Sequence, residues 1–206
     1  CNTFFEEYWQ YVTKQLVIQV PEDFPTIHQA MDLAVVFSER NECTTENPVK
    51  ILMGEGEHVM VGVAASIYGH HMHVSGSNIT IVGKGKGKTT MIGGLYVNGK
   101  QNVKIEQLSV TNPGFGLICK GNGTNVDVTE CCFKKCGSSG MLVNASATVA
   151  ATRCDFMENS LYGVVCYGAN TTVRLTDSTM HHNGISGLYA YDHAVVDLHG
   201  TKTDIH

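Results

Sequence analysis

Gly116-Leu-Ile-Cys-Lys120, Gly140-Met-Leu-Val-Asn144, Gly163-Val-Val-Cys-Tyr167 and Gly187-Leu-Tyr-Ala-Tyr191 follow one another at intervals of 24, 23 and 24 residues. Working outward from each glycine, a second segment recurs in the same register: Ile79-Thr-Ile81, Val103-Lys-Ile105, Val126-Asp-Val128, Val149-Ala-Ala151, Val173-Arg-Leu175 and Val196-Asp-Leu198. A third set aligns Val110, Phe133, Phe156 and Met180. Each unit thus holds short alternating segments separated by Gly, Asn and Asp, and none has the length or 3.6-residue period of a helix. A unit this small cannot bury its own apolar face, whereas stacking on its neighbours buries a continuous one. The expected fold is all-β: a parallel β-solenoid of about 23 residues per rung, with equivalent residues ~4.8 Å apart on successive rungs.

In that register Leu117, Met141, Val164 and Leu188 form one inward column, and Cys119, Val143, Cys166 and Ala190 another. Leu108, Cys131, Cys154, Ser178 and Thr201 form a third, facing a turn. Most of the eight cysteines then serve as small apolar fillers. Cys131 and Cys154, one rung apart, are also near enough for a disulfide to be conceivable. The glycines read as tight backbone corners. There are 22 in 206 residues beside only 4 prolines, above the usual ~7% and without the pattern of collagen or of a low-complexity linker.

Charged residues are 16% and hydrophobic residues 43% of the chain, which excludes disorder. The net charge of −5 and the scattered cations, apart from Lys84, Lys86 and Lys88, argue against a nucleic-acid partner. The uncharged stretch from Leu161 to Val173 falls short of the ~20 apolar residues that cross a bilayer, so no membrane span is expected. Thr3 to Gln15 and Pro25 to Arg40 read as helices. The second has Ile27, Met31, Ala34 and Val35 on one side and suits a cap over the first rung. Residues 1–48 are therefore assigned to an N-terminal capping segment and 49–206 to the solenoid. The chain opens at Cys1 without a signal-peptide pattern and stops inside a repeat, so a continuation, or a partner over the last rung, is expected.

Val17-Ile-Gln-Val-Pro-Glu-Asp-Phe-Pro-Thr-Ile-His-Gln-Ala-Met-Asp-Leu-Ala34, Val49-Lys-Ile-Leu-Met-Gly-Glu-Gly-Glu-His58 and Ile79-Thr-Ile-Val-Gly-Lys-Gly85 carry a family likeness. Together with the later units they resemble the right-handed parallel β-helix, or pectin-lyase-like, superfamily, over roughly Val17 to His206. The first segment looks like the strand and capping helix that open pectin-methylesterase-like proteins. The later units are similar to the degenerate repeats of bacterial carbohydrate enzymes and of eukaryotic F-box and Shc-binding adaptors. The resemblance implies a right-handed coil. It carries over no catalytic residue, because the Gln-Asp-Thr, Asp-Phe-Ile-Phe-Gly and Leu-Gly-Arg-Pro-Trp segments of pectin methylesterases are absent and Trp9 is the only tryptophan.

One outward column, Thr80, Lys104, Asp127, Ala150, Arg174 and Asp197, mixes signs and makes a poor calcium site. Asp127, Arg174 and Asp197 are the candidates for acid, base or charge stabiliser if the protein cleaves a polysaccharide; solvated ion pairs on a sheet face are the plainer reading. The next column, Glu106, Thr129, Thr152, Thr176 and His199, is a β-favouring threonine ladder. A different face aligns Tyr96, Ile118, Leu142, Val165 and Tyr189, and beside them Asn98, Lys120, Asn144, Tyr167 and Tyr191. Here an exposed apolar ribbon edged by tyrosines is expected. Contiguous patches of that kind mark contact surfaces, and tyrosine suits both protein grooves and sugar platforms. Tyr96, Ile118, Leu142, Val165, Tyr167, Tyr189 and Tyr191 are the candidate binding residues.

His70, His71 and His73, and the pair His181 and His182, lack the accompanying ligands of a zinc motif; His71 and His73 alone share a strand face. No metal or cofactor is expected. Gly83-Lys-Gly-Lys-Gly-Lys-Thr89 misses the phosphate-loop spacing by one residue and leads into a strand, so it reads as a basic turn. Asn78, Asn122, Asn144 and Asn170 begin Asn-X-Ser/Thr acceptor sites, which favour secretion. The inward thiol columns tilt the balance toward a reducing, cytoplasmic compartment. The favoured function is a non-catalytic recognition or assembly module for a protein or glycan. The alternatives are a carbohydrate-active lyase, esterase or hydrolase, and a structural block that self-associates end to end.

Overall fold

A computed structural model describes residues 16–40, 43–60 and 70–205. The helix expected over Thr3 to Gln15 lies outside the described residues. The chain winds into a right-handed β-solenoid of about 6 turns with about 24 residues per turn, each complete rung contributing one strand to each of three parallel sheets. Sheet one stacks Val17–Val20, Val49–Met53, Ile79–Val82, Val103–Glu106, Asn125–Thr129, Thr148–Thr152, Thr172–Thr176 and Val195–His199. Sheet two stacks Gly56–Val59, Thr89–Ile92, Ser109–Thr111, Cys132–Lys134, Asp155–Met157, Thr179–His181 and Asp204–Ile205. Sheet three stacks His71–Val74, Gly94–Asn98, Leu117–Lys120, Met141–Asn144, Tyr162–Tyr167 and Ser186–Tyr191.

The registers read from the repeat hold residue for residue along the strands; at the last corner Thr179 pairs with Asp204, so Thr203 rather than Thr201 follows Ser178 in the turn-facing column. Leu117 pairs with Met141, Met141 with Val164 and Val164 with Leu188. On sheet one Lys104 pairs with Asp127, Asp127 with Ala150, Ala150 with Arg174 and Arg174 with Asp197. Alternation then sends one residue in two to the interior, where a single apolar core runs the length of the coil. Phe133 and Phe156 stack there on adjacent rungs, ring centroids 5.3 Å apart. The helix is Ile27–Glu39; the Thr26 hydroxyl caps it by accepting from the Gln29 N–H at 3.4 Å. It buries Ile27, Ala30, Met31, Ala34 and Phe37 in the same core and packs on Val17–Val20, Val49–Met53 and His71–Val74, closing the interior at that end.

Two kinds of corner differ from expectation. After the last five sheet-one strands the chain turns through left-handed backbone, at Gln107, Glu130, Arg153 and Asp177, with φ from 47° to 55°, and only then at Gly200. The column glycines Gly116, Gly140 and Gly163 have ordinary φ, and what they supply is space. A Cβ on Gly116 would lie 2.7 Å from the Gly140 carbonyl oxygen, and one on Gly163 would lie 2.6 Å from that of Gly187. The turn-facing column also has a shared task. The Cys131 thiol reaches the Ile105 and Thr129 carbonyls at 3.4 Å, the Cys154 thiol reaches those of Val128 and Thr152 at 3.5 and 3.4 Å, and the Ser178 hydroxyl reaches those of Ala151 and Thr176 at 3.3 and 3.0 Å. The seven cysteines among the described residues are buried free thiols.

Candidate binding groove on sheet three

The outward positions of sheet three bring the two expected columns side by side. Tyr96 pairs with Ile118, Ile118 with Leu142, Leu142 with Val165 and Val165 with Tyr189; Lys120 pairs with Asn144, Asn144 with Tyr167 and Tyr167 with Tyr191. The ribbon, however, is recessed rather than exposed. Ile118, Leu142 and Val165 retain only 5%, 9% and 8% of their accessible surface, because Tyr96, Phe115, Tyr162 and Tyr167 pack over them as a second apolar cluster outside the main core. Of the seven candidate binding residues only Tyr189 and Tyr191, at 44% and 43%, stand open.

A cleft of about 290 Å³ remains between these walls, with Ile118 and Leu142 as its floor and His71, His73, Tyr96, Lys120, Asn144 and Tyr167 around it. Paired rings stiffen its rim. His73 and Tyr96 lie 4.7 Å apart, Tyr162 and Tyr189 4.9 Å, and Tyr167 and Tyr191 4.9 Å between ring centroids. At one end the ring of His71 is fixed by the Phe115 carbonyl, 2.8 Å from Nε2, with the Asn112 amide 3.3 Å from the same nitrogen. Asn144 is 7% exposed; its Nδ2 donates to the Tyr167 hydroxyl at 2.5 Å, while its Oδ1 has no hydrogen-bond partner among the described residues. Phe115 and Tyr162 escaped the column reading. Their sequence signal is the residue before each column glycine, where Phe115, Ser139, Tyr162 and Ser186 alternate large and small.

Elsewhere the candidates do not gather into a site. Asp127 and Arg174 stand two rungs apart with Ala150 between them, a separation of ~9–10 Å. Arg174 instead lies 3.7 Å from Asp197 in an exposed pair. Asp127 therefore stands apart from that pair. The Gly83 to Thr89 segment is a basic turn whose Lys86 pairs with Asp155 at 2.8 Å and whose Lys88 pairs with Glu55 at 3.0 Å. His181 and His182 touch through their Nδ1 atoms at 2.7 Å, and no group of three or more potential metal ligands occurs among the described residues. Of the four acceptor asparagines, Asn122 and Asn170 are exposed and Asn78 is half-buried. A glycan on Asn144 would require its buried amide to leave Tyr167 and the groove. No helix among the described residues is long and apolar enough to cross a membrane.

Residues 62–202 match the family described as right-handed β-helix region. No curated protein sequence matches the chain. Among solved structures, ORF18 of Geobacillus virus E2 superposes with a TM-score of 0.63 at 12% identity, over 93% of this chain and 40% of the viral one. This chain thus spans well under half of the viral protein's length. The A-modules of the Azotobacter vinelandii mannuronan C-5 epimerases AlgE4 and AlgE6 give TM-scores of 0.32 and 0.36 at 13% and 12% identity. They are covered to 73% each, over 84% and 86% of this chain. The likeness to the viral protein is one of fold.

Proposed function

The chain belongs to the right-handed β-helix family, and we propose that it is a recognition module holding an elongated ligand, a protein segment or a glycan, along the groove of sheet three. The observation that carries this reading is the second apolar cluster. Ile118, Leu142 and Val165 lie on the outer side of the sheet, outside the core that stabilises the coil, yet four aromatic side chains flank them and leave a cleft. An apolar floor with a few polar groups at its rim is the usual build of a binding site. Its length suits an elongated ligand: from the rung of His73 to that of Tyr167 is four steps of ~4.8 Å, or roughly 19 Å.

The test is to probe a glycan array and a displayed-peptide library with the native chain and with a Lys120→Glu, Tyr189→Asp variant. Both residues are exposed, so the fold survives the change. Hits that the variant loses support recognition on sheet three. Hits that both proteins keep place recognition elsewhere and overturn it.

A further inference from the structure

Resting on that reading, we infer that the groove takes an extended peptide carrying an acidic side chain beside an apolar one. Three features of the lining select this chemistry. The floor is branched aliphatic, Ile118 and Leu142, which rewards an alkyl or aromatic side chain through burial. Flat sugar rings are better served by open aromatic faces, and here Tyr96 and Tyr167 each have a face engaged, by His73 and by Tyr191.

The second feature is the Asn144 amide. One end is satisfied by Tyr167, while Oδ1 of this cleft-lining residue is buried without a partner among the described residues. A buried acceptor left unpaired keeps its full desolvation penalty, so it selects a ligand that brings a donor, and a peptide N–H is one. The third is charge. In a chain of net charge −5, the groove lining contains Lys120 and two histidines and, among the described residues, no carboxylate. Lys120 is exposed and forms no ion pair among the described residues. It neighbours Asn144 across the rungs and follows Ile118 by two residues on its own strand. A cation therefore sits one rung from the unpaired acceptor and one side-chain repeat from the apolar floor. At ~3.3 Å per residue, a groove of roughly 19 Å holds about six extended residues.

The experiment selects a random heptapeptide phage library on the immobilised chain and, in parallel, titrates a hexameric polyuronate by calorimetry. The expected clones carry aspartate or glutamate beside leucine, isoleucine, valine or phenylalanine. Synthetic peptides made from them should lose at least tenfold in affinity on Lys120→Glu and on Asn144→Leu, with thermal melts confirming that both variants fold. Enrichment without acidic residues, or peptides indifferent to both substitutions, overturns the inference. Binding of the polyuronate alone, lost on Lys120→Glu, overturns the peptide assignment and leaves recognition on sheet three standing. Binding of neither probe overturns both.

Discussion

Asn144 and Tyr167 face each other across adjacent rungs, and the amide of the first donates to the hydroxyl of the second at 2.5 Å. This is the polar contact that fixes the groove wall over Leu142. Asn144 is nearly buried and Tyr167 half-buried, so the two halves of the bond are not equivalent. Tyr167→Phe leaves the whole Asn144 amide unpaired and should cost about 1–3 kcal/mol of stability. Asn144→Leu continues the aliphatic floor and leaves a phenol that reaches solvent, so it should cost less than about 1 kcal/mol. Urea unfolding of the two variants checks the order; equal losses would show that the contact does not hold the wall.

The glycine columns give a second asymmetry. A Cβ on Gly163 meets the Gly187 carbonyl oxygen at 2.6 Å and the Met180 side chain at 3.1 Å, whereas one on Gly87 meets nothing within 4 Å. Gly163→Ala forces successive rungs apart and should cost ~1–3 kcal/mol, as overpacking does. Gly87→Ala should stay within about 0.5 kcal/mol. Denaturant midpoints compare the two directly.

How much of this was legible in the sequence depends on what each residue reports. A period of 23 to 24 residues, seen once in Gly116, Gly140 and Gly163 and again in Val126, Val149 and Val173, is enough to set register, because a parallel ladder admits one alignment of like residues. The reason for the glycines was not legible. Composition shows only that Cβ is missing, and a missing Cβ serves a left-handed φ and a close approach equally well. The left-handed corners after the sheet-three strands do fall to glycines such as Gly121 and Gly168, but those after sheet one fell to Gln107, Glu130 and Arg153, residues that do not advertise them. The groove was half legible: its floor and tyrosines lie in the columns, but its depth comes from Phe115 and Tyr162 closing from the other side, which column spacing does not encode. Asp127 and Arg174 illustrate the converse, sharing a column without sharing a site.

The shared corner of Cys131, Cys154 and Ser178 predicts which thiols tolerate oxygen. Ser178 already makes, one rung on, the two carbonyl contacts that Cys154 makes. Cys154→Ser should therefore change stability by less than about 1 kcal/mol. Cys119 is buried in the core with no carbonyl contact comparable to that of Cys154 among the described residues, so Cys119→Ser places a hydroxyl there unpaired and should cost ~1–3 kcal/mol. Thermal unfolding of the two single variants separates them, and equal effects would remove the hydrogen-bonding role from this corner.

Burial also makes the thiols a source of alkaline sensitivity. Removal from water pushes Cys136 up to about 12 and Cys154 and Cys166 up to about 11, and raises Cys119, Cys131 and Cys132 for the same reason. An unfolded cysteine titrates near ~8.5. Above that pH the unfolded chain releases thiol protons that the folded chain keeps, so the unfolded state binds fewer protons and stability falls as pH rises. The contribution is whole below pH ~8.5 and is lost progressively toward pH 11 and beyond. Urea midpoints measured from pH 7 to 10 should be level up to about 8.5 and then decline, the decline setting in below the pH of ~10 at which an ordinary tyrosine is half-ionised. Cys154→Ser removes one of the titrating groups and should make that decline shallower, with little change at pH 7. Iodoacetamide at pH 8 should leave the seven buried thiols unlabelled in the native protein and modify them all in guanidinium. A flat profile to pH 10, or rapid native labelling of Cys154, would show that these thiols are not held in the dry interior.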